Sequence, residues 1–269
     1  MAEPSPTRTP WDGRSRRAQA GRDGAAGSRA PGTIRCAVCG TESRQSRPRA
    51  QPPEQAPDLD LRPGEPLRST MATWLQQCPH CGYAAPDISR VHPAVAQAVA
   101  AAPFRALVND TSHPALARRF LGWAHVLEES GALHAAAEAT LQAAWVADDE
   151  NQPELASLWR REAVALWRAG PPLDHEQTVR VVDALRRARA WDDAGASARA
   201  AAADAPPEAA AQVLALEARL IAARDDGRHS VASALPPPSR RPHVAQRGTP
   251  SRPGAPGWWA QLRRWFGGR

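Results

Sequence analysis

Two short segments, Cys36-Ala-Val-Cys39-Gly40 and Cys78-Pro-His-Cys81-Gly82, constrain this 269-residue chain more than any other feature. Two thiolates three residues apart on a tight turn can grip one ion along two tetrahedral directions. The glycine after the second cysteine permits a positive φ, so that the turn amides can face the sulfurs. Pairing two such knuckles gives a four-thiolate site, Cys36, Cys39, Cys78 and Cys81, that leaves no position for water and is structural rather than catalytic. The expected cofactor is one structural zinc ion. An iron centre bound by four thiolates uses the same geometry. A redox Cys-x-x-Cys normally occurs once, at a helix start beside a βαβ pattern, and neither pair here opens an evident helix. The 38 residues between the knuckles, 40–77, exceed the usual ribbon spacing. Loop closure grows only logarithmically, so the excess costs under ~1 kcal/mol relative to a loop of half the length. Most of the insertion therefore reads as a flexible excursion. His80, between two ligands, reads as an exposed turn residue.

The rest of the chain divides by composition. Its 27 Pro and 18 Gly concentrate in 1–33, 43–66 and 227–257, stretches without apolar periodicity that cannot offset ordering entropy. The expected organisation is a disordered leader at 1–32 and a zinc-ribbon-like module at 33–92 with a Pro-rich insertion at 43–69. A helical repeat-like domain at 93–226, a disordered linker at 227–257 and a short basic amphipathic segment at 258–269 follow. The net charge of +6 conceals an asymmetry: residues 93–227 carry thirteen arginines against nineteen acids, whereas 228–269 carry eight arginines and no acid. A nucleic-acid footprint is normally a basic face on the folded domain; here the basicity lies in the tails, which suit only weak polyanion contact. Every Lys/Arg position is arginine, read first as codon bias. No run of ~18 apolar residues suggests a membrane span. The first residues hold Arg and Pro without an apolar region, which argues against a secretory signal. The cytoplasm is the expected compartment, and there paired cysteines point to metal rather than disulfides.

From residue 93 the apolar period becomes helical, and helices are expected near 93–107, 114–130, 132–147, 153–169, 175–190, 192–203 and 207–224. Ser112 before Pro114 suits a first turn, Gly131 a left-handed stop, and Gly170-Pro171-Pro172 another end. Leu116, Phe120, Trp123 and Leu127 line one face, opposite Arg118, His125 and Glu129. Leu133, Ala137, Leu141 and Ala144 line the next helix; Leu155, Trp159, Ala163 and Leu166 the one after; Val213, Leu216 and Leu220 the last. Leu121-Gly122-Trp123, Glu129-Ser130-Gly131-Ala132-Leu133 and Ala136-Ala137 resemble a tetratricopeptide helix pair, and Trp191-Asp192-Asp193-Ala194 the second helix of a later unit, although no clean 34-residue period runs through the region. The fold class expected is mainly α: a small β zinc-ribbon-like module, then an α-hairpin (tetratricopeptide-like) helical stack, with disordered basic tails.

Asp58-Leu59-Asp60-Leu61-Arg62-Pro63, Thr73-Trp74 and Gln77-Cys78-Pro79-His80-Cys81-Gly82-Tyr83, upstream of the helices, resemble an uncharacterised bacterial family close to domain of unknown function 2225. Its members pair Cys-x-x-Cys-Gly with Cys-Pro-x-Cys-Gly-Tyr ahead of tetratricopeptide-like helices. The resemblance covers roughly residues 33–225 and implies metal binding by Cys36, Cys39, Cys78 and Cys81. The Ala-rich helices and long basic tails depart from the pattern.

Other candidates are weaker. Asp58 and Asp60 read as a solvated loop, with a cation or Arg62 and Arg68 as alternative partners. His113, His125 and His134 have no metal-ligand spacing around them and read as surface or packing residues. Trp123, Trp145, Trp159, Trp167 and Trp191 read mostly as core. The segment Trp258–Phe266 places Trp258, Trp259, Leu262, Trp265 and Phe266 on one face of a short helix that suits a membrane surface, a partner's groove or its own domain. No His-Glu-x-x-His, Gly-x-Ser-x-Gly or phosphate-binding glycine loop is found. The favoured reading is a non-enzymatic zinc-braced scaffold whose partner is a protein or peptide. The alternatives are a nucleic-acid-associated regulator using the ribbon and the Arg-rich tails, and an enzyme with an unrecognised site.

Overall fold

The computed structural model describes residues 32–46 and 53–235; the leader, most of the linker and the Trp258–Phe266 segment lie outside the described residues. The fold is mainly α with a small β module. Strand β1 (Thr33–Arg35) pairs antiparallel with β2 (Glu42–Arg44), Ile34 opposite Ser43. Strand β3 (Gln76–Gln77) pairs antiparallel with β4 (Ala84–Ala85). Among the described residues, eight α-helices follow: α1 (Val95–Ala100), α2 (Ala102–Asn109), α3 (Ala115–Glu129), α4 (Leu133–Asp149), α5 (Pro153–Ala169), α6 (His175–Arg187), α7 (Trp191–Ala203) and α8 (Glu208–Ala222). None of them is long and apolar enough to cross a membrane.

Six helices match their expected positions, and the remaining differences have local causes. The helix expected at 93–107 is broken in two, because Pro103 has no N–H and its ring would clash with a carbonyl one turn earlier. Ala101 is extended and Pro103 sits in the first turn of α2. Ser112 does not cap α3: its amide and hydroxyl both donate to the Asp110 carboxylate (2.9 and 2.6 Å). Strand β3 starts only at Gln76, because Arg68–Thr73 coils as a 3-10 helix and seats Met71, Trp74 and Leu75 in the helical core.

Gly131 ends α3 at φ 76°, as expected. Its amide donates to the Glu128 carbonyl (2.8 Å) and the Ala132 amide to that of Leu127 (2.9 Å). This Schellman pattern satisfies two otherwise orphaned carbonyls. The same pair of bonds ends α4 at Asn151, α6 at Arg189 and α8 at Arg224, all with φ between 52° and 58°.

From α3 to α8, each helix packs on its chain neighbours, and α6 also packs on α8. Helix α4 lies at the centre and is buried continuously from Ala136 to Ala147, as its largely apolar, Ala-rich circumference requires. Trp145, Trp159 and Trp167 are buried with Phe120 and Leu141 in one core, so the tryptophan reading holds for these three; Trp123 is partly buried against that core. A second cluster joins the cysteine hairpins to α1, α2 and α3 through Ile34, Tyr83, Ile88, Val95, Val99, Phe104 and Val126. Gly122 lies at this contact, where a Cβ would stand 3.4 Å from the Phe104 ring, at the edge of ordinary van der Waals distance.

Residues 53–75 overturn the expectation of a solvated excursion. Leu59 is completely buried among Val179 and Val182 of α6, Ala198 of α7, and Val213, Leu214 and Leu220 of α8. The Leu59 amide donates to the His229 carbonyl and the Val231 amide to the Pro57 carbonyl (both 2.9 Å), so the chain leaving α8 pairs with this segment.

Candidate metal centre

The two cysteine turns are built alike. In the first, the Cys36 amide donates to the Thr41 carbonyl and the Gly40 amide to the Cys36 carbonyl (both 2.9 Å). In the second, the Cys78 amide donates to the Tyr83 carbonyl (2.8 Å) and the Gly82 amide to the Cys78 carbonyl (3.0 Å). Gly40 and Gly82 have φ of 74° and 76°, the conformation that the Cys-x-x-Cys-Gly spacing foretold. Each first cysteine follows a strand rather than opening a helix, unlike the redox arrangement.

The hairpins are clamped together. The Gln45 side chain donates to the Gln77 carbonyl (2.9 Å) and accepts from the Gln77 amide (3.2 Å). The Ala37 amide donates to the Ile88 carbonyl (2.8 Å). The Ile88 amide in turn donates to the Gln76 side chain (3.2 Å). This brings all four sulfurs within 4.8 Å of one another. Cys36 Sγ and Cys81 Sγ are 3.8 Å apart, and Cys39 Sγ and Cys78 Sγ 3.5 Å. A tetrahedron with zinc–sulfur bonds of about 2.3 Å has edges of about 3.8 Å, so the donor set fits a single tetrahedral ion. A disulfide needs sulfurs about 2.05 Å apart, and all four cysteines are free.

The electrostatics of the four thiols suit a divalent cation. Burial pushes the Cys36 and Cys81 thiols up, and neighbouring sulfurs push Cys81 further. Cys39 is exposed, and its slight burial is outweighed by hydrogen bonds with the Thr41 side chain and backbone and with the Cys78 and Cys81 sulfurs, which take its thiol down to about 5. Four thiolates in this space repel one another, and a divalent cation reverses that logic by deprotonating each ligand. His80 is exposed and outside the donor set.

The other acidic candidates have a different role. Asp58 pairs with Arg68, one of the partners expected for it. Asp60, read from sequence as a solvated loop residue, is wholly buried. Its carboxylate accepts from Trp145 Nε1 (2.7 Å) and from the Arg62 amide (3.2 Å), with Arg187 at 3.6 Å and Arg160 at 4.0 Å. Burial opposes its charge, but the Arg187 and Arg160 guanidiniums prevail and hold it below the usual carboxylate range. Around it, Arg160 grips Asp148 with two bonds (3.1 and 2.5 Å), Arg187 also reaches Asp148 (2.9 Å), Arg62 pairs with Asp149, and Arg180 with Glu138. The signal available in sequence was Glu138 and Gln142 inside an otherwise apolar helix, and three arginines within the eight residues 180–187. Such polar side chains in a buried element demand a partner from elsewhere in the chain.

His113 stands edge-on to Trp159, and His125 lies near Phe104. The His134 ring bonds the Pro171 carbonyl and the Gln177 side chain (both 3.1 Å). All three are packing residues, as expected. Set against this geometry, comparison with protein-family models, curated proteins and solved structures gave no match in any of the three.

Proposed function

We propose that this chain is a structural zinc-binding protein whose helical stack serves as a protein-interaction scaffold, and that it is not an enzyme. The observation that carries the metal is the four-sulfur cluster, with spacings close to the edges of a zinc–thiolate tetrahedron. A closed four-thiolate site has no open position for water or substrate, which supports a bracing role. Thiolate ligands also suit a reducing compartment such as the cytoplasm. The resemblance to the family of paired knuckles and tetratricopeptide-like helices is kept as part of this proposal.

The scaffold half rests on helices that pack on their neighbours, an architecture that presents extended surfaces. Pro57–Arg62 already lies along α4, α6, α7 and α8, so a partner takes another face of the stack or competes with this segment. Two measurements test the reading. Elemental analysis of protein purified without added metal is expected to return one zinc per chain, and none after Cys36→Ser with Cys78→Ser; iron in its place refutes zinc. Cross-linking of the zinc-loaded chain in cells is expected to map partner contacts onto α3–α8, and contacts confined to the arginine-rich tails would favour the nucleic-acid reading.

A further inference from the structure

A second buried charge cluster, beside the one at Asp60, joins α6 to α8. Arg186 is fully buried and serves two acids at once: its Nη2 donates to Asp183 Oδ1 (2.5 Å) and its Nε to Glu217 Oε2 (2.7 Å). Its remaining nitrogen donates to the carbonyls of Asp225 (2.6 Å) and Gly227 (2.9 Å), just beyond α8. The two acids are themselves buried, Asp183 at 1% and Glu217 at 0% exposure. Asp183 Oδ2 and Glu217 Oε1 are left with no donor, while both carboxyl groups converge on the one guanidinium. Two carboxylates offer acceptors only. A proton on one of them supplies a donor for the other, and it neutralises a buried cluster of one cation and two anions.

We propose that Asp183 and Glu217 share one proton beside Arg186, and that this proton latches α8 and the segment 225–231 onto α6. The segment matters because its far end, His229 to Val231, pairs with Pro57–Leu59. The charged groups around the latch are few. From α6 come Asp183, Arg186 and, acting on Asp183, Arg187; from α8, Glu217; from the exit turn, Asp225, which bonds His229 (3.0 Å); from the docked segment, Asp58 beside Arg228 (3.9 Å). Helix α7 buries only Ala194, Ala198 and Ala201. Burial and Asp183 together raise the Glu217 carboxyl to about 9, against the opposing pull of Arg186. A group raised in the closed state favours that state at low pH. Its advantage shrinks as pH climbs from the ordinary carboxylate value towards the raised one.

The test is amide hydrogen exchange of the full, metal-loaded chain, corrected for intrinsic exchange. Opening at the Leu59 and Val231 amides is expected to rise by about tenfold per pH unit between about pH 6 and about pH 8, and to level off above about 9. Glu217→Gln, whose amide can donate to Asp183 and accept from Arg186, is expected to keep these amides protected and to remove the pH dependence. Asp183→Asn, which leaves one acid for one arginine, is expected to do the same. Carbon-13 spectra of labelled glutamate should contain one carboxyl that stays protonated at neutral pH and disappears in Glu217→Gln. Equal pH profiles for the parent and both variants, or glutamates that all titrate below about 6, would overturn the proposal.

Discussion

The cysteine hairpins and the segment around Asp60 belong to one stretch of chain, yet they are held by opposite means. Four sulfurs gather within 4.8 Å of one another, and burial disfavours the charge of Cys36 and Cys81; on the proposed reading a cation from outside the chain supplies the balance. Around Asp60, four arginines (62, 160, 180 and 187) meet four acids (60, 138, 148 and 149), and the chain supplies its own counter-charges. The first region should be conditional on metal. The second should be indifferent to metal but sensitive to any change that leaves one of its charges alone, since a buried ion without its partner costs far more than the pair contributes.

The largest expected effect separates the two regions. Cys36→Ser with Cys78→Ser, or a strong chelator, should remove an apparent ~10–16 kcal/mol of metal-coupled folding. Amide protection in 33–45 and 76–88 should vanish while α4, α5 and α6 keep theirs and the helical circular dichroism persists. Collapse of the whole stack on metal loss would mean that the regions are not independent. Next, Asp60→Ala should cost about 3–5 kcal/mol in urea unfolding, because Arg160 and Arg187 stay buried without it, and zinc content should remain at one per chain. The pH dependence has a definite sign: Asp60 is held below its ordinary value. Its contribution is therefore complete above about pH 4 and disappears as pH falls through the lower folded value. In Asp60→Asn that part of the acid-unfolding curve should flatten. The smallest effect touches neither region. Arg224 ends α8 at φ 52°, where a non-glycine residue is strained by about 1–2 kcal/mol, so Arg224→Gly should stabilise the chain by about 1 kcal/mol by thermal melting.

This division explains what the sequence disclosed. The knuckles were legible because local spacing fixes them: Gly40 and Gly82 are needed by the turns themselves. Helices α3 to α8 were legible because Gly131, Gly170 and Pro207 punctuate an apolar period. Even the break at Ala101 had its signal in Pro103. The burial of Leu59 and Asp60 had none nearby. Asp-Leu-Asp-Leu-Arg is polar and follows a proline-rich run, and its partners Trp145, Arg160 and Arg187 lie about 85 to 127 residues further on. Local pattern reports an element's own period; it does not report which distant charges will neutralise a carboxylate.

The bridge between Asp58 and Ser230 also orders events during synthesis. Nothing upstream can complete it, because its second half is made only after α8. A nascent chain therefore carries Leu59 without its α8 contacts, and Pro57 and Leu59 without their backbone partners, until translation has passed Val231. Contacts between such remote residues carry the slowest closure. Over that interval, the unpaired 57–62 stretch and the half-built stack are the surfaces on which chaperones or premature aggregation would act.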